Sequence, residues 1–251
     1  MIPLTGFLIA LAIGLTGIGG GTITAPVLLL FLGLAPAEAV GTALVFVAGV
    51  KLLAAPQYIW RGLVNYRILR LLLAGGIPGV LCGGLFLHLL SSSHWQGPIL
   101  AVVGLTILVT ASMDVYRRLR RRPASEGALH PRRLACVSFP IGLEVGFSSA
   151  GAGALGTLAL MQWTSLSAAE IVGTDLAFGL GLSLAGGGVH LAFGAIDPGV
   201  FTSLLLGGIP GALIGPWLAT RVPGHKLRLG LAVWLAYLGS QLLLRGIHTF
   251  W

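Results

Sequence analysis

Apolar residues in this chain do not fall in stripes along amphipathic elements. They gather in long runs separated by short polar or glycine-rich interruptions. A run of about 20 mostly apolar residues is what a helix needs to cross roughly 30 Å of hydrocarbon. Six runs read as spans: Ala37–Tyr58, Arg67–Leu90 and Trp95–Val115, then Ala168–Leu191, Gly199–Thr220 and Leu227–Leu244. Ahead of each set of three lies an apolar stretch broken by small residues. One is Leu4 to Leu34 around Gly17-Ile18-Gly19-Gly20-Gly21; the other is Leu134 to Leu166 around Ser148-Ser149-Ala150-Gly151-Ala152-Gly153. The pattern predicts an all-α polytopic membrane protein.

Composition agrees. Only 9% of the residues are charged and 56% are hydrophobic, against about 25% charged in a soluble domain. The 39 glycines suit helices that pack closely inside a bilayer. A net charge of +8 raises nucleic acid as a partner, but the basic residues sit in short loops beside apolar spans, the cytoplasmic signature of membrane proteins. Cys82 and Cys136 have no disulfide or metal spacing, and the histidines show none either. No metal or other cofactor is therefore expected. The start Met1-Ile2-Pro3-Leu4 lacks the features of a signal peptide and reads as mature structure.

The chain repeats itself. A shift of 132 residues aligns about seventy positions without a gap, roughly a third of them identical. Gly75-Gly76-Ile77-Pro78-Gly79 falls on Gly207-Gly208-Ile209-Pro210-Gly211, Ala37-Glu38 on Ala169-Glu170, Val40-Gly41-Thr42 on Val172-Gly173-Thr174, and Asn65 on Asp197. Residues 1–115 form the first repeat, 116–133 a basic linker containing Arg117-Arg118-Leu119-Arg120-Arg121-Arg122, and 134–251 the second repeat.

Basic loops mark the cytoplasmic side. In the first half the basic loop holds Arg61, Arg67 and Arg70. In the second half the basic loop is the next one along, with Arg221, Lys226 and Arg228. The bias therefore switches sides, which requires an odd number of crossings per half and two inverted repeats. Three full spans per half satisfy this if each broken stretch is a helix pair that enters and leaves on one side. The linker is then inside and both termini outside.

Inverted repeats with discontinuous helices are a recurring design of secondary transporters. Non-helical backbone at membrane depth needs protein, water or ligand to satisfy it, and the N-terminus of the following half-helix suits an anion. The first break offers Gly19, Gly20, Gly21, Thr22 and Thr24; the second offers Ser148, Ser149, Gly151, Gly153 and Thr157. These glycines also fit plain close packing, which is the better account of Gly75, Gly79 and Gly83 and their copies Gly207, Gly211 and Gly215. Lys51, deep in a span, either faces an anion or snorkels to the interface. Asp175 and Glu144 are the candidates for a coupling carboxylate, because an ionisable group at membrane depth costs about 2.5–3.5 kcal/mol on insertion scales. Glu38 and Glu170, at equivalent helix starts, read as caps, and His190 as structural.

Gly17-Ile18-Gly19-Gly20-Gly21, then Ala25-Pro26, Ala37, Gly41-Thr42, Gly62 and the later glycine-rich span, in that order and spacing, resemble the TauE/SafE sulfite exporter family over nearly the whole chain. The resemblance implies transport of small sulfur-containing anions (sulfite, sulfoacetate or related organosulfonates) across the inner membrane. The second half departs from the glycine pattern, with Ser148-Ser149-Ala150 where the first has Thr16-Gly17-Ile18 and Leu158 where it has Pro26. The two sides of the pocket are thus chemically unequal. The expected partners are a small anion and the lipid bilayer, with no nucleic acid; a homodimer is allowed by the sequence but not required by it. A passive anion channel would use the same polar groups. An intramembrane serine hydrolase would use Ser149 with His190 as base. Gly151-Ala152-Gly153-Ala154-Leu155-Gly156 matches a dinucleotide fingerprint but lacks the preceding strand that chemistry needs.

Overall fold

The computed structural model describes residues 1–16, 20–91, 95–119, 131–219 and 224–248. Within them lie ten helices. The first five are α1 (Ile2–Thr16), α2 (Gly21–Phe31), α3 (Pro36–Trp60), α4 (Tyr66–Leu90) and α5 (Gln96–Leu119). The second five are α6 (Pro131–Ser148), α7 (Ala152–Trp163), α8 (Ala168–Ala192), α9 (Pro198–Ala219) and α10 (Gly224–His248). Five helices, within α3, α4, α5, α8 and α9, are long and apolar enough to cross a membrane among the described residues. The sixth expected span is α10, several of whose side chains lie outside the described set. Each half thus has two shorter helices and then three long ones, in the order the apolar runs predict. The protein is a multi-pass helical membrane protein.

Local chemistry sets the helix starts. Pro36 opens α3, where its missing N–H costs nothing. Asn65 caps α4 by accepting from Ile68 N at 3.2 Å, and Asp197 caps α9 by accepting from Val200 N at 2.9 Å. Ser167 and Glu170 form a reciprocal capping box at the start of α8, the role expected of Glu170.

Packing follows the glycines. α4 lies parallel to α6, and Cβ atoms at Gly75, Gly79 and Gly83 would run into the backbone of Ala135, Phe139 and Leu143. α1 lies on α9 in the same way: Cβ atoms at Gly207, Gly211 and Gly215 would meet Pro3, Phe7 and the Leu11–Gly14 turn. Each contact in one set lies 132 residues from its counterpart in the other. These glycines bring backbone against backbone, as the packing account requires.

The centre is α3 against α8. Gly41 packs on His190, Gly187 on Val45, and Gly179 on Lys51, so the two helices run antiparallel. Their starts are also tied to the opposite half. Gly41 sits on the carbonyl of Ala195 and Gly173 on that of Leu63. Phe46 and Phe178, both wholly buried, fill matching positions against Gly208 and Gly76. α5 and α10 also run antiparallel, with Gly104 on Leu243 and Gly246 on Gly97 and Ala101. Leu81, Leu85, Phe86 and Leu89 on α4, and Leu206 and Leu213 on α9, face outward, where a bilayer is their natural solvent.

Candidate functional site

The first predicted break falls between α1 (Ile2–Thr16) and α2 (Gly21–Phe31), whose N-cap is Gly20. Residues 17–19, Gly19 among them, lie outside the described residues. α6 stops at Ser148 and α7 begins at Ala152. The turn between them needs two left-handed residues, Ser149 at φ 61° and Gly151 at φ 84°. Glycine adopts that conformation freely, whereas serine pays for it.

The breaks meet. A Cβ on Gly21 would collide with both the carbonyl oxygen and Oγ of Ser149, so the first turn of α2 rests on the second break. Only glycine permits that approach. Gly20 faces the side chains of Ile13 and Val47.

Much of the second break is satisfied internally. Ser149 N donates to Val145 O at 2.8 Å. Ser148 Oγ donates to Glu144 O at 3.0 Å and accepts from Ala150 N at 3.1 Å. Ala150 N therefore no longer serves Gly146 O, and the ring Nε2 of buried His190 lies 3.2 Å from that carbonyl instead. This is the structural role expected for His190. It also separates His190 from Ser149, whose Oγ is buried without a hydrogen-bond partner among the described residues. A serine nucleophile needs its base within hydrogen-bond reach, and that contact is not made.

At least three of the five predicted hydroxyls spend their proton within the protein. Besides Ser148, Thr24 Oγ1 donates to Gly20 O at 2.8 Å, and Thr157 Oγ1 donates to Asp175 Oδ2 at 2.9 Å. Thr22 is buried in the first turn of α2. Ser149 keeps a hydroxyl with no partner among the described residues.

Lys51 does not snorkel. It is 5% exposed, and its Nζ crosses from α3 to α8, where it lies against Gly179. A Cβ at Gly179 would also come within 3.8 Å of the Ala152 methyl, so the ammonium lies at the point of α8 that faces the first residue of α7. One turn earlier on α8, Asp175 is also 5% exposed. Its Oδ2 takes the Thr157 bond, while Oδ1 faces Gly156 with no hydrogen-bond partner among the described residues. Glu144, on α6, lays its carboxyl against Gly151, and its buried Oε1 likewise has none among them. Gly153, in the first turn of α7, completes the segment. No group of three metal-ligating side chains occurs among the described residues.

Sequence reasoning named these charged residues but missed how they gather. Positions 152 and 156 share one face of α7, and 175 and 179 one face of α8, at four-residue spacing. The antiparallel register between the two helices is what brings Lys51 to the second break, and it is not written in any local motif.

Comparison with known proteins agrees with this architecture. The sequence matches the family described as Sulfite exporter TauE/SafE over residues 2–242. It is 32% identical to the probable membrane transporter protein YjnA of Bacillus subtilis, covering 96% of this chain and 98% of that one. It is 23% identical to the probable membrane transporter protein YunE of the same organism, over 96% of each. A probable membrane transporter protein of Xylella fastidiosa is 27% identical over 88% of this chain and 85% of its own length. No solved structure matches.

Proposed function

Because this chain belongs to the sulfite exporter TauE/SafE family, we propose that it is a secondary carrier moving small sulfur-containing anions across the inner membrane. Its two halves are inverted repeats. Support comes from the antiparallel course of α3 against α8 and of α5 against α10. Helices that span a bilayer and are related by a two-fold axis run antiparallel when that axis lies in the membrane plane. The substrate sits where the breaks meet, between the first turns of α2 and α7.

One observation carries this reading: Lys51, buried in a span, places its ammonium at the point of α8 that faces the first residue of α7. A lysine at membrane depth is retained at a cost of about 2.5–3.5 kcal/mol. Placed at a helix N-terminus, it adds to a positive potential, an arrangement that disfavours cations and favours an anion. The unpartnered hydroxyl of Ser149 supplies a donor on the side of α2. A sulfonate or sulfite group, with three oxygens around one sulfur, fits donors arriving from different helices.

The test is uptake into proteoliposomes containing the purified chain, with sulfite, sulfoacetate, taurine, sulfate and acetate, each with and without a pH gradient. Saturable uptake of sulfite or sulfoacetate in preference to acetate is the expected result. Absence of flux for every sulfur anion overturns the substrate assignment, and flux that rises linearly without saturation makes the protein a channel.

A further inference from the structure

Three charged side chains from three helices line up along the start of α7. Glu144 of α6 rests on Gly151, the Lys51 ammonium of α3 lies against Gly179, where a Cβ would come within 3.8 Å of the Ala152 methyl, and Asp175 of α8 lies on Gly156 and accepts from Thr157. From Gly151 to Thr157 the axis rises only about 9 Å. The order is negative, positive, negative.

This cluster is unfinished. Glu144 Oε1 and Asp175 Oδ1 are both buried with no hydrogen-bond partner among the described residues, whereas buried polar atoms in folded proteins nearly always find one. Two carboxylates and one ammonium also leave one negative charge in excess. A monovalent sulfonate entering the same space would make that two, and a dianion such as sulfoacetate three, with no further cation at the cluster among the described residues to offset it. The titratable groups on the neighbouring helices do not change the sum. α2 and α7 have none, and α5 has none from Gln96 to Met113. From α8, besides Asp175, His190 is committed to Gly146 O, and Glu170 is held in its capping box with Ser167. On α4, His88 stacks on Phe193, Cys82 is exposed, and Tyr66, Arg67 and Arg70 lie in the first turns. On α3, Glu38 is at the opposite end from Tyr58, and only Lys51 reaches the cluster.

The two carboxylates are not equivalent. Asp175 has a hydroxyl donor in Thr157 and lies one turn from Lys51 on α8. Glu144 has its carboxyl on the N-cap residue of α7, the seat that suits an anion. Gly151 makes room for it, since a Cβ there would strike the carboxylate. We infer that Glu144 is a tethered stand-in for the substrate: its carboxylate fills the anion seat of the empty carrier and gives it up by taking a proton as the anion arrives. This rests on the carrier reading above and adds what that reading leaves open, namely that anion and proton bind together. The proton is delivered by a hydronium ion on the side of entry: its O–H bond breaks, leaving water, as the O–H bond to a carboxylate oxygen of Glu144 forms, and no other covalent bond changes. The neutral acid then has a hydrogen to donate, and the bound anion is its partner.

The decisive experiment is calorimetric titration of the full-length purified chain with sulfoacetate, in buffers of different ionisation heat, across about two pH units around neutrality. The wild type is expected to take up one proton per sulfoacetate and to lose roughly tenfold in affinity per pH unit once Glu144 is ionised. Glu144→Gln is expected to bind with no linked proton and with affinity flat in pH. Binding by the wild type without proton uptake, or proton uptake that persists in Glu144→Gln, overturns the inference and leaves the carrier standing. Failure of the wild type to bind sulfoacetate or sulfite removes the carrier reading and this inference with it. If Glu144→Gln does not fold, Glu144→Asp decides, since its shorter arm is expected to bind sulfoacetate more tightly at high pH while keeping the linked proton. Unchanged affinity there overturns the inference.

Discussion

The backbone N–H of Asn65 donates to the hydroxyl of Thr174 at 3.0 Å, joining residues 109 apart in sequence. One repeat length on, the N–H of Asp197 donates to Thr42 at the same 3.0 Å. Each threonine belongs to the Gly-Thr pair at the start of a central helix, and each accepts from the cap residue of a helix in the opposite half. The glycine of each pair, Gly41 or Gly173, lets the loop carbonyl of Ala195 or Leu63 come against the helix. The shared Val-Gly-Thr motif thus locks the two halves to one another.

Replacing either threonine by valine keeps the shape and removes the acceptor. An unpaired buried donor costs about 1–3 kcal/mol. Thr42→Val and Thr174→Val are therefore expected to lower thermal stability in detergent by similar amounts. The check is a melting curve on each, with the pseudo-equivalent pair predicted to match. A large loss in one and none in the other would contradict the two-fold relation proposed above.

Backbone contact at the glycine ladders makes a sharper contrast. Gly79→Ala places a methyl on the carbonyl of Phe139, and Gly211→Ala places one on that of Phe7. Both positions are rigid backbone, so these variants are expected to lose most folded protein on size-exclusion chromatography. Gly188 also lies in a helix, yet nothing stands within 4 Å of where its Cβ would be. Gly188→Ala is expected to be neutral or to stabilise by about 0.5–1 kcal/mol through reduced backbone entropy.

How much of this is readable from residues alone depends on the range of the interaction. The duplication, the order of spans and both breaks follow from apolar run lengths and from self-alignment at 132 residues. The capping role of Glu170 also follows, because Ser167 is three residues away. Tertiary partnership does not. Thr42 and Thr174 look like ordinary helix residues until the loops 155 and 109 residues away are placed on them. Thr24 and Ser148 look like donors for a ligand, but their protons go to carbonyls four residues back, a local option open to any helical hydroxyl. Lys51 has two outlets in sequence, and only the close approach at Gly179 selects the inner one.

His190 offers a separation of stability from transport. It serves Gly146 O, which the break deprives of its usual donor. His190→Phe is expected to cost about 1–3 kcal/mol of stability while leaving the half-saturating concentration of sulfoacetate within about twofold. A thermal melt and an uptake curve on the same preparation check both halves of the statement. Loss of sulfoacetate affinity with unchanged stability would give His190 a role this account denies it.

Lys51 must behave otherwise. Lys51→Met keeps length and removes charge. It is expected to fold, since Asp175 retains its Thr157 bond, and to lose sulfoacetate uptake by roughly 100-fold, the equivalent of about 2.7 kcal/mol. Lys51→Arg, with a larger planar head beside Gly179, is expected to recover only part of the activity. Ser149→Ala is expected to weaken uptake by about tenfold, the equivalent of about 1.4 kcal/mol, if its hydroxyl donates to the anion.

The central claim is that the two breaks hold a small oxyanion between them, and its position is directly measurable. Selenite, the heavier analogue of sulfite, carries an anomalous scatterer. Crystals grown with selenite are expected to show one strong anomalous peak at the start of α7, within about 3–4 Å of Lys51 Nζ or Ser149 Oγ. A peak elsewhere in the protein, or none there in a preparation that transports sulfite, would contradict the account.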